Sequence, residues 1–225
     1  MAKKKVNVED QNLEKVQNGL NTTGLWIEKN LVKLVIAIVV VALLGGGAVA
    51  YKQYVVDPKN SEINEETANL AVLFMQGDYE LALNGDSTDV VGFKQLADEN
   101  AMYKGGKLAA LYAGACYYQL EKYAEAVEYL SKFSAKDKHV SAAASQLLGD
   151  AYVHLEDYAN ATKAFNKAAK TGHKVIAPMS LKKAGLVYLE MGDKAAAKKA
   201  FETIKADYPL SLEARDIEKY IALAE

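Results

Sequence analysis

The sequence predicts an all-α protein in which one membrane-spanning helix precedes a solenoid of stacked helical hairpins. Three observations predict it. From Leu34 to Tyr51 the chain runs 18 residues without a charge (LVIAIVVVALLGGGAVAY). Downstream, Gly114, Gly149 and Gly185 recur 35 and 36 residues apart, each followed at fixed distances by a tyrosine, an alanine and a large apolar residue. The composition, 51% apolar and 25% charged with three Pro and one Cys, excludes disordered, collagen-like and disulfide-stapled chains.

The apolar run comes first. A helix of that length rises about 27 Å, close to the roughly 30 Å hydrocarbon core of a bilayer. Extended back to Leu31 it takes in only Lys33, whose stem can snorkel. Trp26 on one side and Tyr51 and Tyr54 on the other stand where interfacial aromatics belong. Eighteen uncharged residues in series leave no wet face, which argues against a buried core helix. The competing reading is a signal peptide cleaved after Ala50, since Ala48-Val49-Ala50 has the small-x-small form; the 33 residues before the run and its length argue against it. The only cysteine, Cys116, is far downstream, so no lipid-modified cysteine can anchor a new N-terminus.

Lysines set the expected orientation. Lys3, Lys4, Lys5, Lys15, Lys29 and Lys33 precede the run, whereas only Lys52 and Lys59 fall in the 33 residues after Tyr51. The positive-inside rule then puts the tail in the cytoplasm and the larger C-terminal part across the membrane. The sequence-level division is a tail over 1–30, a transmembrane helix over 31–54, a linker with a degenerate hairpin over 55–104, three repeats over 105–209 and a capping helix over 210–225.

The repeats align in four columns. After Gly114, Gly149 and Gly185 come Tyr117, Tyr152 and Tyr188; then Ala126, Ala161 and Ala197; then Leu130, Phe165 and Phe201. Small residues on both helices let two backbones approach, and the Tyr and Phe or Leu columns fill the space between hairpins. Turns are expected at 120–123, 155–158 and 191–194. Pro178 suits the first turn of a helix and Pro209 stops one. One hairpin cannot bury its apolar face alone, so neighbours stack. Residues 62–84 echo a turn and second helix, and Leu212, Ile217, Tyr220 and Ile221 lie at helical spacing in the C-terminal segment.

These columns resemble the tetratricopeptide repeat, whose Gly, Tyr, Ala, Phe and Pro pattern is met by Gly185, Tyr188, Ala197, Phe201 and Pro209. The first two repeats lack the closing Pro, and all three lack the family's early Trp, with Ala110, Ser145 and Leu181 in its place. The resemblance implies a solenoid whose concave face is lined by the first helix of each pair. The stripe that faces it reads Leu108, Leu111, Ala115 and Tyr118, then Gln146, Asp150 and Val153, then Met179, Lys182, Leu186 and Leu189. Ala115, Asp150 and Leu186 stand where chaperone-tail-binding members carry Asn, so that activity is not implied. An apolar groove suggests a hydrophobic segment or partner helix, unless helices over 62–98 or the capping helix already fill it.

No catalytic set is legible. His139, His154 and His173 are scattered without metal-ligand spacing, and Cys116, between Gly114 and Tyr117, reads as a buried small hydrophobe. Lys104-Gly105-Gly106-Lys107 follows no strand and reads as a loop, not a phosphate cradle. The expectation is a non-enzymatic chain without cofactor or metal. A net charge of −2 gives nucleic-acid binding no support. Order and topology, with Trp26-Ile27-Glu28-Lys29-Asn30 before the span, resemble the YfgM-type accessory subunits of the bacterial Sec translocon. That resemblance implies a repeat domain in the periplasm, tethered to the inner membrane. Its implied partners are the translocon, a periplasmic chaperone or unfolded exported chains. The alternative is a structural scaffold in a cell-wall or outer-membrane assembly complex, and a cytoplasmic repeat domain is the alternative topology.

Overall fold

The computed structural model describes residues 8–86 and 91–225. The lysine cluster at residues 3–5 lies outside the described residues. The chain divides into two compact units, Met1–Asp57 and Pro58–Glu225.

The first unit carries helix α1 (Val8–Tyr51), followed by a π-helical turn at Lys52–Val56. Its charge-free run is long and apolar enough to cross a membrane, and none of its most apolar window is buried against protein. Val41, Leu43 and Leu44 are each about two-thirds or more exposed, an arrangement that water would penalise and lipid would not.

The second unit, which begins one residue into α2, is a succession of helices without a named strand among the described residues: α2 (Asp57–Gln76), α3 (Tyr79–Asn84), α4 (Phe93–Glu99), α5 (Lys104–Gln119), α6 (Tyr123–Lys132), α7 (Lys138–His154), α8 (Tyr158–Ala169), α9 (Ile176–Glu190), α10 (Lys194–Asp207) and α11 (Ile217–Leu223). Helices α5–α6, α7–α8 and α9–α10 are the three hairpins. Each first helix also meets the first helix of the next hairpin, which is the stacking of a tetratricopeptide-type solenoid.

The columns have a plain steric basis. A methyl group at Gly149 would stand 2.5 Å from Phe165 Cε1, and one at Gly114 would stand 2.6 Å from Leu130 Cγ. Phe201 presses on Gly185 in the same way. The large residue of the second helix thus lies flat on the glycine of the first, and Phe165, Phe201, Ala126, Ala161 and Ala197 are buried. Tyr117 is buried, while Tyr152 and Tyr188 are half-buried. Pro209 is exposed two residues beyond the end of α10, where its ring cannot continue the helix.

The same turn joins every hairpin. The tyrosine carbonyl accepts a hydrogen bond from the amide five residues on: Lys122 N to Tyr117 O (2.9 Å), Asp157 N to Tyr152 O (2.9 Å), Asp193 N to Tyr188 O (2.8 Å). This closes the helix as a Schellman motif, with the residue before the donor in the left-handed region. Glycine fills that place once, at Gly192 (φ 76°); Glu121 (φ 59°) and Glu156 (φ 57°) fill it otherwise, at a steric cost glycine avoids. Asp157 and Asp193 then cap the next helix, accepting from Asn160 N and Ala196 N.

The region before the repeats uses the same device. Asp78 N donates to Leu73 O (3.0 Å), with Gly77 (φ 89°) between, and α2–α3 is a shortened hairpin in the register of the others. Its core includes Ile63, Leu70, Ala82 and Leu83, joined by Phe93 and Leu96 of α4. Lys104 to Lys107 form the first turn of α5, not a loop. Gly105 and Gly106 are buried there because Ile63 and the Asn100 carbonyl leave no room for side chains. At the C-terminus, Leu210 and Leu212 are exposed, a 3-10 turn spans Glu213–Asp216, and the cap helix begins only at Ile217, which is buried.

Candidate protein-binding surface

The stripe residues are carried by α5, α7 and α9, the three first helices. All are half-buried except Leu186, which is exposed. This is the state of side chains that pack along one edge and present the other to solvent.

The polar members of the stripe are each bonded to a neighbouring element. Lys183 Nζ lies 2.7 Å from both carboxylate oxygens of Asp150, tying α9 to α7. Gln146 joins the same pair of helices, accepting from Ser180 Oγ (3.2 Å) and donating to Met179 Sδ (3.1 Å). Tyr118 on α5 is 3.3 Å from His154 Nε2 on α7, and Tyr123 stacks flat on the His154 ring at 4.1 Å. Lys182 pairs with Asp216 (2.7 Å) and lies over the Tyr220 ring, so the C-terminal cap reaches the stripe's third repeat. There Met179, Leu186 and Leu212 border a shallow cavity of about 280 Å³. Leu108, Leu111, Ala115, Val153, Leu186 and Leu189 remain as apolar surface, and α2 to α4 pack on α5 without burying Leu108 or Leu111.

Lys183, Ser180 and Tyr123 were not legible as part of this surface. Asp150 and Lys183 are 33 residues apart, just under one repeat, and that spacing is the signal that could have found the pair.

Chemistry is muted elsewhere. Cys116 is fully buried in α5, and burial pushes its thiol up to about 12, so it is neither nucleophile nor ligand at neutral pH. Among the described residues no group of three His, Cys, Asp or Glu side chains could hold a metal ion. The strongest polar cluster is a tie between α4 and α6. Asp98 accepts from Tyr129 Oη (2.7 Å) and Lys132 Nζ (3.1 Å). Burial works against the charge, but these bonds hold Asp98 below the usual carboxylate range. His139 and His173 meet edge to face at 4.7 Å, and His173 Nδ1 accepts from Val175 N and Ile176 N at the start of α9.

With this geometry, residues 46–221 match a family described as the N-terminal domain of EccA1, a protein of the ESX-1 type VII secretion system. The chain belongs to that family. The match begins inside the apolar run and ends in the cap helix, so it covers the repeat unit end to end. No curated protein matches. Two solved structures, described as crystal structures of MamA and of MamA protein, are similar to this chain. The first is 26% identical over 69% of this chain and 91% of that one, with a TM-score of 0.49. The second is 24% identical over 71% and 90%, with a TM-score of 0.50, a likeness of fold alone. The repeat unit is a protein–protein interaction module of the tetratricopeptide type.

Proposed function

We propose that this chain is a membrane-tethered, non-enzymatic interaction module. In this reading it is anchored N-in in the bacterial inner membrane, with its repeats in the periplasm, where it assists protein export and periplasmic chaperoning. The observation that carries the reading is the pairing of an unburied apolar helix with a solenoid whose stripe keeps its apolar side chains open. Its polar side chains are meanwhile bonded to side chains beside the stripe. A tether of this kind raises the local concentration of the stripe at the membrane, so weak contacts suffice. The lysine asymmetry across the apolar run supports the orientation. A family described by a secretion-system protein and the resemblance to translocon accessory subunits both support an export role.

Two measurements test this. Protease added to spheroplasts with an intact inner membrane digests residues beyond 57 if the repeats are periplasmic; protection until the membrane is ruptured overturns the topology. Mild-detergent purification of the intact protein is expected to bring down translocon, chaperone or secretory clients. Stoichiometric recovery of a wall or outer-membrane assembly complex, unchanged when export is blocked, replaces the export reading with a scaffold.

A further inference from the structure

We propose that the cavity between the first turns of α5 and α7 is a docking pocket for an acidic segment of a partner polypeptide with a large apolar residue at its centre. The proposal rests on the reading of this domain as a protein-binding module and names the chemistry it selects.

The cavity is about 600 Å³, the size of a small-ligand or side-chain pocket. Leu108, Phe133 and Val140 supply its apolar lining, and Lys104, Lys107 and Lys136 its charge. None of these lysines makes an ion pair or hydrogen bond among the described residues, whereas Lys122, Lys132, Lys182, Lys183, Lys198 and Lys205 are all paired. The single acidic lining residue, Asp137, is committed to its own helix: its carboxylate accepts from Val140 N and His139 N, and those bonds hold it below the usual carboxylate range.

The placement of the lysines favours an anion. Lys104 and Lys107 occupy the first turn of α5, at the positive end of its dipole, and that turn has no acidic residue and no side-chain cap. Asn60 Oδ1 accepts from it, at Gly105 N (3.1 Å). The positive end of α7 borders the same cavity. The α7 end is capped by Asp137, so one uncapped helix N-terminus and three ammonium groups without an ion pair give this apolar hollow its positive charge, on a chain whose net charge is negative. Carboxylates beside an apolar side chain satisfy both parts of that lining.

A polypeptide is the occupant because the pocket opens onto the stripe. Leu108 belongs to both, so a chain leaving the pocket continues along Leu111 and Ala115 of the same helix. These lysines lie at the edge of the solenoid, apart from the middle of the stripe where Asp150 is already neutralised.

The test uses full-length protein in detergent and fluorescein-labelled peptides read by anisotropy. The probe is Ser-Asp-Glu-Phe-Glu-Asp-Ser; one control replaces its acids with Lys, another its Phe with Ser. The probe is expected to bind at least tenfold more tightly than either control, and more weakly as salt rises. Changing Lys104, Lys107 and Lys136 together to Glu should lower its affinity at least tenfold. The same change at Lys163, Lys174 and Lys194 should leave it within twofold. Equal binding of the three peptides, or equal loss from the two triple variants, overturns the proposal. So does displacement of the probe by short-chain phosphatidylglycerol at equal concentration, which makes the occupant a lipid. A protein partner captured in cells by a domain that ignores the acidic probe would defeat this inference and leave the proposed function standing.

Discussion

Two hairpins of this molecule share one turn and differ in how they fill their interior. In α7–α8 a glycine on the first helix, Gly149, lies under a large residue on the second, Phe165. In α2–α3 the position eight residues before the turn aspartate is Leu70, which is buried, and the position eight residues after it is Asp86, which is exposed and beyond the end of α3. The bulk has changed sides. Where the first helix supplies a leucine, the second can stop after six residues, and Phe93 of α4 completes the core. The turn and Ala82, which stands where Ala161 does, are retained. The repeat is thus defined by its turn and by one large side chain per hairpin, not by which helix carries that side chain.

The largest effects should come from deleting that side chain. Phe165→Ala should destabilise the domain by about 3–5 kcal/mol and Leu70→Ala by about 2–5 kcal/mol, measured by chemical unfolding followed by circular dichroism. A negligible loss at Leu70 would break the equivalence. Crowding the small side comes next: Gly149→Ala should cost about 1–3 kcal/mol despite alanine's higher helix propensity, because Phe165 must leave its place.

Smaller changes should stabilise. Thr67 on α2 is buried with its hydroxyl unpartnered, so Thr67→Val should raise stability by about 1 kcal/mol. Glu156→Gly, relieving the left-handed position that Gly77 and Gly192 already fill, should add about 0.5–1 kcal/mol. The smallest effect concerns pH. Because the folded state holds Asp98 below its ordinary range, its contribution is complete above the unfolded carboxylate pKa and is lost as pH falls through the folded one. Asp98→Asn should therefore lower the neutral-to-alkaline part of the stability curve, leave its most acidic end little changed, and so flatten the acid limb.

Much of this was legible because it repeats. The Gly, Tyr, Ala and Phe columns are a steric rule written three times, and the apolar run of α1 needs no context to be read. Gly105-Gly106 misled because two adjacent glycines read as a chain breaker; only the approach of Ile63 and Asn100 explains why a helix needs them there. The late start of the cap helix was hidden because Leu212 was grouped at helical spacing with Ile217, Tyr220 and Ile221, although it faces solvent. The stripe residues were recoverable from periodicity. Their partners were not, because the pairing of Asp150 with Lys183 depends on how far one hairpin is rotated against the next. The cavity between α5 and α7 was invisible for the same reason, since Lys107 and Lys136 meet only once the hairpins stack.

The central claim is that the open apolar stripe of the first helices is the binding surface, while the Gly, Tyr, Ala and Phe or Leu columns, shared between first and second helices, do the packing. Site-specific photocrosslinking in living cells tests it most directly. Crosslinkers at Leu111 and Leu186 should yield discrete protein adducts, and a crosslinker at Lys163 on the exposed side of α8 should not. Adducts to a translocon component, a chaperone or secretory clients from the stripe alone are the predicted result; no adducts from the stripe, or the same pattern from all three positions, would contradict it.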